Sequence, residues 1–332
     1  MMPRNFGWRT IRSTRQRLSQ ERFLNRNRRR LLVESLESRR VLATLVVTDL
    51  SDSADIATLA GDGQLSLREA LHAANTDTSV DGSPIGNGHD EIVFAAGLTG
   101  TIGLQGRELV IQDDVSITGP GAELLTLDGN LLSRVLHIFP ESNVEITDLT
   151  VSRGQDGLAA GIWNRGGNLS LLRINLVGNQ ATSGAGGAIF NQPIGPGATL
   201  TVRDSFIQNN SAQFGGGIAS GGADGVSTLV IENTEFNANS GAGGGLMNSG
   251  FGGGTANTTV TNSRFINNTS PGVGGAIFND SRNLGTTEMT IRGSRISGGA
   301  AEWGGGLADF GAGNVASNVQ IIDTEISGAS AT

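Results

Sequence analysis

The sequence predicts an all-β fold, a parallel β-helix of three strands per coil with a short N-terminal capping helix. Three features carry that expectation. First, Gly186-Gly187-Ala188-Ile189-Phe190-Asn191 recurs from Gly215 to Ser220, Gly243 to Asn248, Gly274 to Asn279 and Gly304 to Asp309, with an earlier relative from Ala159 to Asn164. Successive copies lie 27, 29, 28, 31 and 30 residues apart, which sets a coil of about 29 residues. Second, the segment Thr201 to Ile207 returns at the same step, beginning at Val230, Thr259, Thr290 and Gln320. Third, 51 glycines accompany 37% hydrophobic residues. That combination supplies tight turns between short apolar strands, without the three-residue period of collagen or the low hydrophobicity of a disordered chain.

The chain divides into three parts: a leader at 1–43, a cap at 44–89 and the β-helix at 90–332. Residues 1–43 carry 12 Arg against Glu21, Glu34 and Glu37, a net of +9, so the remainder stands at -17 within a total of -8. The leader reads as basic and unstructured. The acidic remainder argues against nucleic acid or an anionic membrane surface as a partner. No apolar run reaches the length of a membrane span. Without any cysteine there are no disulfides, thiolate chemistry or cysteine-based zinc sites.

In the cap, Leu45-Val46-Val47 reads as a strand and an Asp/Ser-rich loop follows. Residues 66–75 read as a helix. Ser66 and Glu69 have the spacing of a capping box, Leu67, Ala70, Leu71 and Ala74 share one face, and Asn75 is the expected stop. This helix is expected to cover the first coil, whose backbone would otherwise be an open pairing edge. Arg68 and His72 read as solvated face residues.

In the β-helix, period-two alternation assigns the faces. Ile162, Ile189, Ile218, Leu246, Ile277 and Leu307 point inward as one stack. Leu169, Leu200, Leu229, Met289 and Val319 form another, with Thr258 as its exception, and Ile207, Phe236, Phe265, Ile296 and Ile326 a third. Earlier coils are expected at Glu91 to Phe94, Thr101-Ile102, Leu109 to Ile111, Val115 to Ile117 and Leu124 to Leu127. Asn164, Asn191, Asn248 and Asn279 mark one corner, with Ser220 and Asp309 as variants. Asn179, Asn210, Asn239 and Asn268 mark another. Asn suits these corners because it tolerates left-handed backbone and can bond to its neighbour in the stack. Opposite charges align between coils at Arg203 with Glu232, Glu235 with Arg264, and Arg295 with Glu325.

Three resemblances attach to these segments. Leu36-Glu37-Ser38-Arg39-Arg40-Val41-Leu42 resembles the LEPR-XLL motif of exported bacterial surface proteins, with Ser38 and Val41 where that motif has Pro and Leu. Ser66-Leu67-Arg68-Glu69-Ala70 resembles the core of the CSLREA domain, with Leu65 in place of its Cys; that domain precedes adhesin-like β-helices. Gly-Gly-Ala-Ile at 186–189 and 274–277, with Phe206 to Asn209, Phe236 to Asn239 and Phe265 to Asn268, is similar to the repeats of polymorphic outer membrane proteins. The last resemblance implies a right-handed helix of the pectin-lyase-like type. Together they imply an extracellular or cell-surface location in the bacterial envelope.

The same fold type carries polysaccharide lyases and hydrolases. A lyase needs a cationic base beside carboxylates, and a hydrolase needs two carboxylates facing one sugar. Asp148, Asp204 and Asp323 share a column with Arg173, Asn233, Asn262 and Gly293, at the turn between second and third strands, and read as turn formers. His72, His89 and His137 all precede the repeats. No catalytic, cofactor or metal residues are assigned. One outward column stands out, Trp163, Phe190, Met247 and Phe278, with Ala219 and Ala308 between them. It is the candidate binding stripe, unless a neighbouring loop covers it. The expectation is an exported, non-enzymatic, adhesin-like rod that meets surface glycans or other cell-surface proteins. The alternatives are a carbohydrate-active enzyme or a piece of a larger surface protein, with end-to-end contact at an uncapped C-terminal coil.

Overall fold

The computed structural model describes residues 43–86, 88–223, 225–311 and 316–331. Residues 1–42 of the leader, with the motif at 36–42, lie outside them. The chain winds as a parallel β-helix of about eight turns. Among the described residues the strand-to-strand ladders are parallel and stack coil on coil, in register save for an irregularity between Ser211–Phe214 and Ser240–Ala242. One coil shows the path: Ala198–Arg203 joins a ten-stranded sheet, Phe206–Gln208 a nine-stranded sheet, Ser211–Phe214 a four-stranded sheet and Ile218–Gly221 an eight-stranded sheet. The predicted inward stacks are the core. Leu169, Leu200, Leu229, Thr258, Met289 and Val319 pair in one column. Thr258 fits there because its hydroxyl donates to Asn248 Oδ1 at 2.8 Å, so its polar atom is not orphaned. Phe236 and Phe265 stack with ring centroids 4.5 Å apart. In the last coil Ile321 and Ile326 are about half exposed.

The fourth, short ladder has no counterpart among the three strands expected per coil. Its strands, such as Gln155–Asp156 and Ser240–Ala242, are built mostly of Gln, Asp, Ser, Gly and Ala, with Phe214 at the end of one, and give no period-two apolar signal. It leads into the Gly-Gly corner. Gly186 sits there at φ 73°, left-handed backbone that glycine adopts without strain. A Cβ on Gly187 would lie 2.2 Å from the Gly216 carbonyl oxygen, so the second glycine is needed for the approach of adjacent coils.

The two Asn corners are bonded ladders, and here the expectation of left-handed backbone fails. Asn179, Asn210, Asn239 and Asn268 are buried. Each donates its side-chain amide to the next one's Oδ1 at 2.9, 3.0 and 2.9 Å. Asn164 reaches Asn191 and Asn248 reaches Asn279 in the same way, both at 2.8 Å. The left-handed positions lie elsewhere: Asp148, Arg173, Asp204, Asn233, Asn262, Gly293 and Asp323 have φ between 48° and 59°. Those aspartates are turn formers, as the sequence predicts. The three inter-coil charge pairs form, at 2.7 Å for Arg203–Glu232, 3.3 Å for Arg264–Glu235 and 3.6 Å for Arg295–Glu325.

The stack begins before residue 90, because Thr44–Val47 pairs with Asp90–Phe94 and is the first strand of the ten-stranded sheet. The cap helix runs Leu67–Thr76 behind the Ser66–Glu69 capping box. It ends at Asp77, left-handed at φ 49°, and not at Asn75. Asn75 instead bonds the first coil as a neighbouring strand would. Its amide donates to Val110 O at 2.9 Å and its Oδ1 accepts from Gln112 N at 2.8 Å. Arg68 is likewise no solvated residue. It pairs with buried Asp52 at 2.7 Å and donates to the carbonyls of Arg107 and Glu108. Both side chains satisfy the open backbone of the first coil, which would otherwise lack partners. His72 is exposed.

Candidate functional site

The outward column of the eight-stranded sheet reads, coil by coil, Val110, His137, Trp163, Phe190, Ala219, Met247, Phe278 and Ala308. His137 therefore lies one coil ahead of the repeat that begins at Ala159, directly below Trp163. The apolar triplets Leu109-Val110-Ile111 and Leu136-His137-Ile138 are the sequence signal that places it. The column does not behave uniformly along its length.

At its lower end it is closed. Trp163 stacks on His137 with centroids 4.5 Å apart, and the guanidinium carbons of Arg134 and Arg165 lie 4.6 and 5.5 Å from its ring. Its indole N–H donates to Gln192 Oε1 at 3.0 Å. His137 Nδ1 bonds Glu108 Oε1 at 2.9 Å, and Arg134 pairs with the other oxygen. Arg134 also donates to the carbonyls of Ala159 and Leu158 at 2.7 and 2.8 Å and stands 3.4 Å from Asp156. Burial pushes the Glu108 carboxyl up, but His137 and Arg134 outweigh it and hold the group below the usual carboxylate range. An ionised Glu108 accepts only, so the imidazole proton sits on Nδ1. His137 Nε2 is buried without a partner. Beside this cluster runs a polar groove of about 460 Å³, lined by Arg68, Arg107, Glu108, Ser133, Arg134 and Asp156.

At its upper end the column is covered from outside. Phe278 is fully buried, with Phe310 edge-on at 5.4 Å and Arg282 over both rings at 5.7 and 5.5 Å. Asp280 holds that guanidinium at 2.7 Å. Met247 and Ala308 belong to the same small cluster, apart from the main core. The covering loop weighed against the stripe is thus present at Phe278.

Between the two ends the column opens. Half-buried Phe190, with buried Ala219 and Met247 at its floor, lines a groove of about 260 Å³ with Phe214, Phe251 and the Asp280–Arg282 pair. Phe214 and Phe251 are 37% and 45% exposed. Of the four stripe residues, Phe190 and Met247 line the groove, whereas Trp163 and Phe278 are engaged by the protein itself. Phe214 and Phe251 carry no sequence signal: Phe214 ends the short strand Ser211–Phe214, which lacks an apolar period, and Phe251 sits in a Gly-rich connection. Asp148 and Asp204 are not brought together: Arg173 stands between them and grips Asp148 at 2.6 Å.

A family model described as Planctomycete extracellular matches residues 27–44. No curated protein matches. Among solved structures, ORF18 of Geobacillus virus E2 is similar at a TM-score of 0.41 and 10% identity, over 85% of this chain and 59% of that one. Among the described residues no helix is long and apolar enough to cross a membrane.

Proposed function

We propose that the chain is an exported, non-enzymatic protein of the cell surface or extracellular matrix, adhesin-like, whose β-helix is a rigid rod displaying the central groove to a surface glycan. The extracellular family matched at 27–44 supports export. The observation that carries the binding role is the groove of Phe190, Phe214 and Phe251 over Met247. Exposed aromatic faces meet the C–H face of a sugar ring, and the part-exposed Arg282 guanidinium supplies a donor for hydroxyls at the edge of the groove. An aromatic patch left open in a chain that covers Phe278 with its own Phe310 is a feature that folding alone does not require. A glycan array probed with the wild type and with Phe214→Ala/Phe251→Ala tests it. The wild type binds a subset of glycans and the double variant loses them at unchanged melting temperature. Equal binding by both proteins sinks the glycan role.

A second reading, a carbohydrate-active enzyme, is favoured by one observation: the Glu108–His137 pair with Arg134 and Asp156 beside the polar groove. Release of reducing ends or unsaturated products from polysaccharides, abolished by His137→Ala, establishes it in place of the first.

A further inference from the structure

The capping helix carries a feature that neither binding nor coil packing uses. Glu69, in its first turn, is 1% exposed. Its Oε2 accepts from the Ser66 N–H at 2.9 Å and the Ser66 hydroxyl at 2.8 Å, which completes the capping box. Its Oε1 is buried and has no donor. Asp81 comes from the loop that follows the helix and sits in left-handed backbone at φ 48°. Its Oδ1 accepts from the Gly61 N–H at 2.6 Å, and its Oδ2 is also buried without a donor. The Asp81 carboxyl lies within hydrogen-bonding reach of Glu69.

Two carboxylates in contact, each with a buried oxygen that no donor reaches, resist being ionised together unless an electrophile lies between them. That electrophile is either a proton or a cation. Calcium takes six to eight oxygens, roughly, and magnesium keeps several waters. Neither orphan oxygen reaches solvent, and among the described residues no group of three or more acidic or histidine side chains could hold an ion. The proton fits better. We propose that Glu69 and Asp81 share one proton, which latches the 61–63 and 79–83 loops onto the helix start and makes closure of the cap over the first coil sensitive to pH.

The surroundings agree. Burial raises the Glu69 carboxyl above its ordinary range, the two Ser66 bonds oppose this, and Asp81 adds to it. Of the strands packed on the helix, Thr44–Val47 and Leu109–Ile111 carry no ionisable side chain. Asp90–Phe94 carries Asp90 and Glu91; Asp90 accepts from the Ala43 N–H at 3.2 Å and feels the charges of Asp77, Asp113 and His89, and Glu91 accepts from Thr44. Arg68, on the helix itself, is held by Asp52. A raised carboxyl stabilises the folded state at low pH and loses that contribution as pH climbs through the folded value.

Thermal melts of the full chain from about pH 5 to about pH 8, with chelator or with calcium chloride, test the latch. The wild-type midpoint is expected to fall with rising pH, with or without calcium. Asp81→Asn and Glu69→Gln each place an amide donor where the shared proton sits, and Gln keeps the capping box, so both variants are expected to lose this slope. If either variant folds poorly, the amide exchange protection of Glu69 to Ala74 in the wild type gives the same readout and should drop as pH rises. An equal slope in wild type and variants, or protection that does not change with pH, overturns the proposal. So does a calcium-dependent rise of the wild-type midpoint that Asp81→Asn removes, which assigns the gap to a cation.

Discussion

The indole of Trp163 lies on the imidazole of His137, with centroids 4.5 Å apart and planes 13° from parallel. This stack closes the outward column at its lower end and leaves the groove above Phe190 as its open part. Replacing His137 by Ala removes the ring beneath Trp163. The expected result is a red-shifted tryptophan emission with the parallel β-helix intact by circular dichroism, since the inward neighbours Leu136 and Ile138 are untouched. An unchanged emission contradicts the stack.

Glu108 should govern the acid limb of stability. Its folded value lies below the ordinary carboxylate range, so its contribution is present at neutral pH and is lost as pH falls through the folded value. Melts of wild type and Glu108→Gln are expected to differ at neutral pH and to converge in acid. Parallel curves at all pH values would show that the pairing with His137 and Arg134 is not energetically used.

The Asn ladder is expected to be worth more than its place in a turn suggests. Asn239 accepts from Asn210 and donates to Asn268 and to the Ile207 carbonyl, and all three contacts are buried. Asn239→Ala takes the acceptor from the buried Asn210 N–H and the side-chain donor from the Ile207 carbonyl, both on the preceding coil, at about 1–3 kcal/mol each before relaxation. A marked fall in denaturation midpoint is the expected outcome, and a loss as small as that of a surface residue argues against the ladder.

Core and surface should separate by magnitude. Phe236→Ala removes one ring of the buried stack with Phe265 and should cost about 3–5 kcal/mol. Arg203→Ala/Glu232→Ala removes a pair whose side chains are both more than 40% exposed, and should cost about 0–1 kcal/mol. Comparable losses from the two would mean that the coils are held by charge pairing more than by their core.

The coil period, the inward columns, the capping box and the inter-coil charge pairs were all legible because each depends on residue type at fixed spacing. Ile189, Leu200 and Ile207 announce three faces by alternation. What stayed hidden lacked a period. The strand Ser211–Phe214 of the fourth ladder reads Ser-Ala-Gln-Phe with no apolar alternation, and Phe251 sits in a glycine loop. Arg68 looked solvated and Asn75 looked like a helix stop, because neither pattern shows that the edge of a coil lies beside them. The corner asparagines pointed to the right residues with the wrong emphasis: bonding along the stack, not left-handed backbone, accounts for them.

Whether the groove of Phe190, Phe214 and Phe251 is a binding surface is decided by an equilibrium binding curve for the strongest glycan on the array, wild type beside Phe214→Ala/Phe251→Ala. The expected result is saturable binding by the wild type, loss of it in the double variant, and the same melting temperature for both. Equal affinity for the two proteins would contradict the groove as the binding surface.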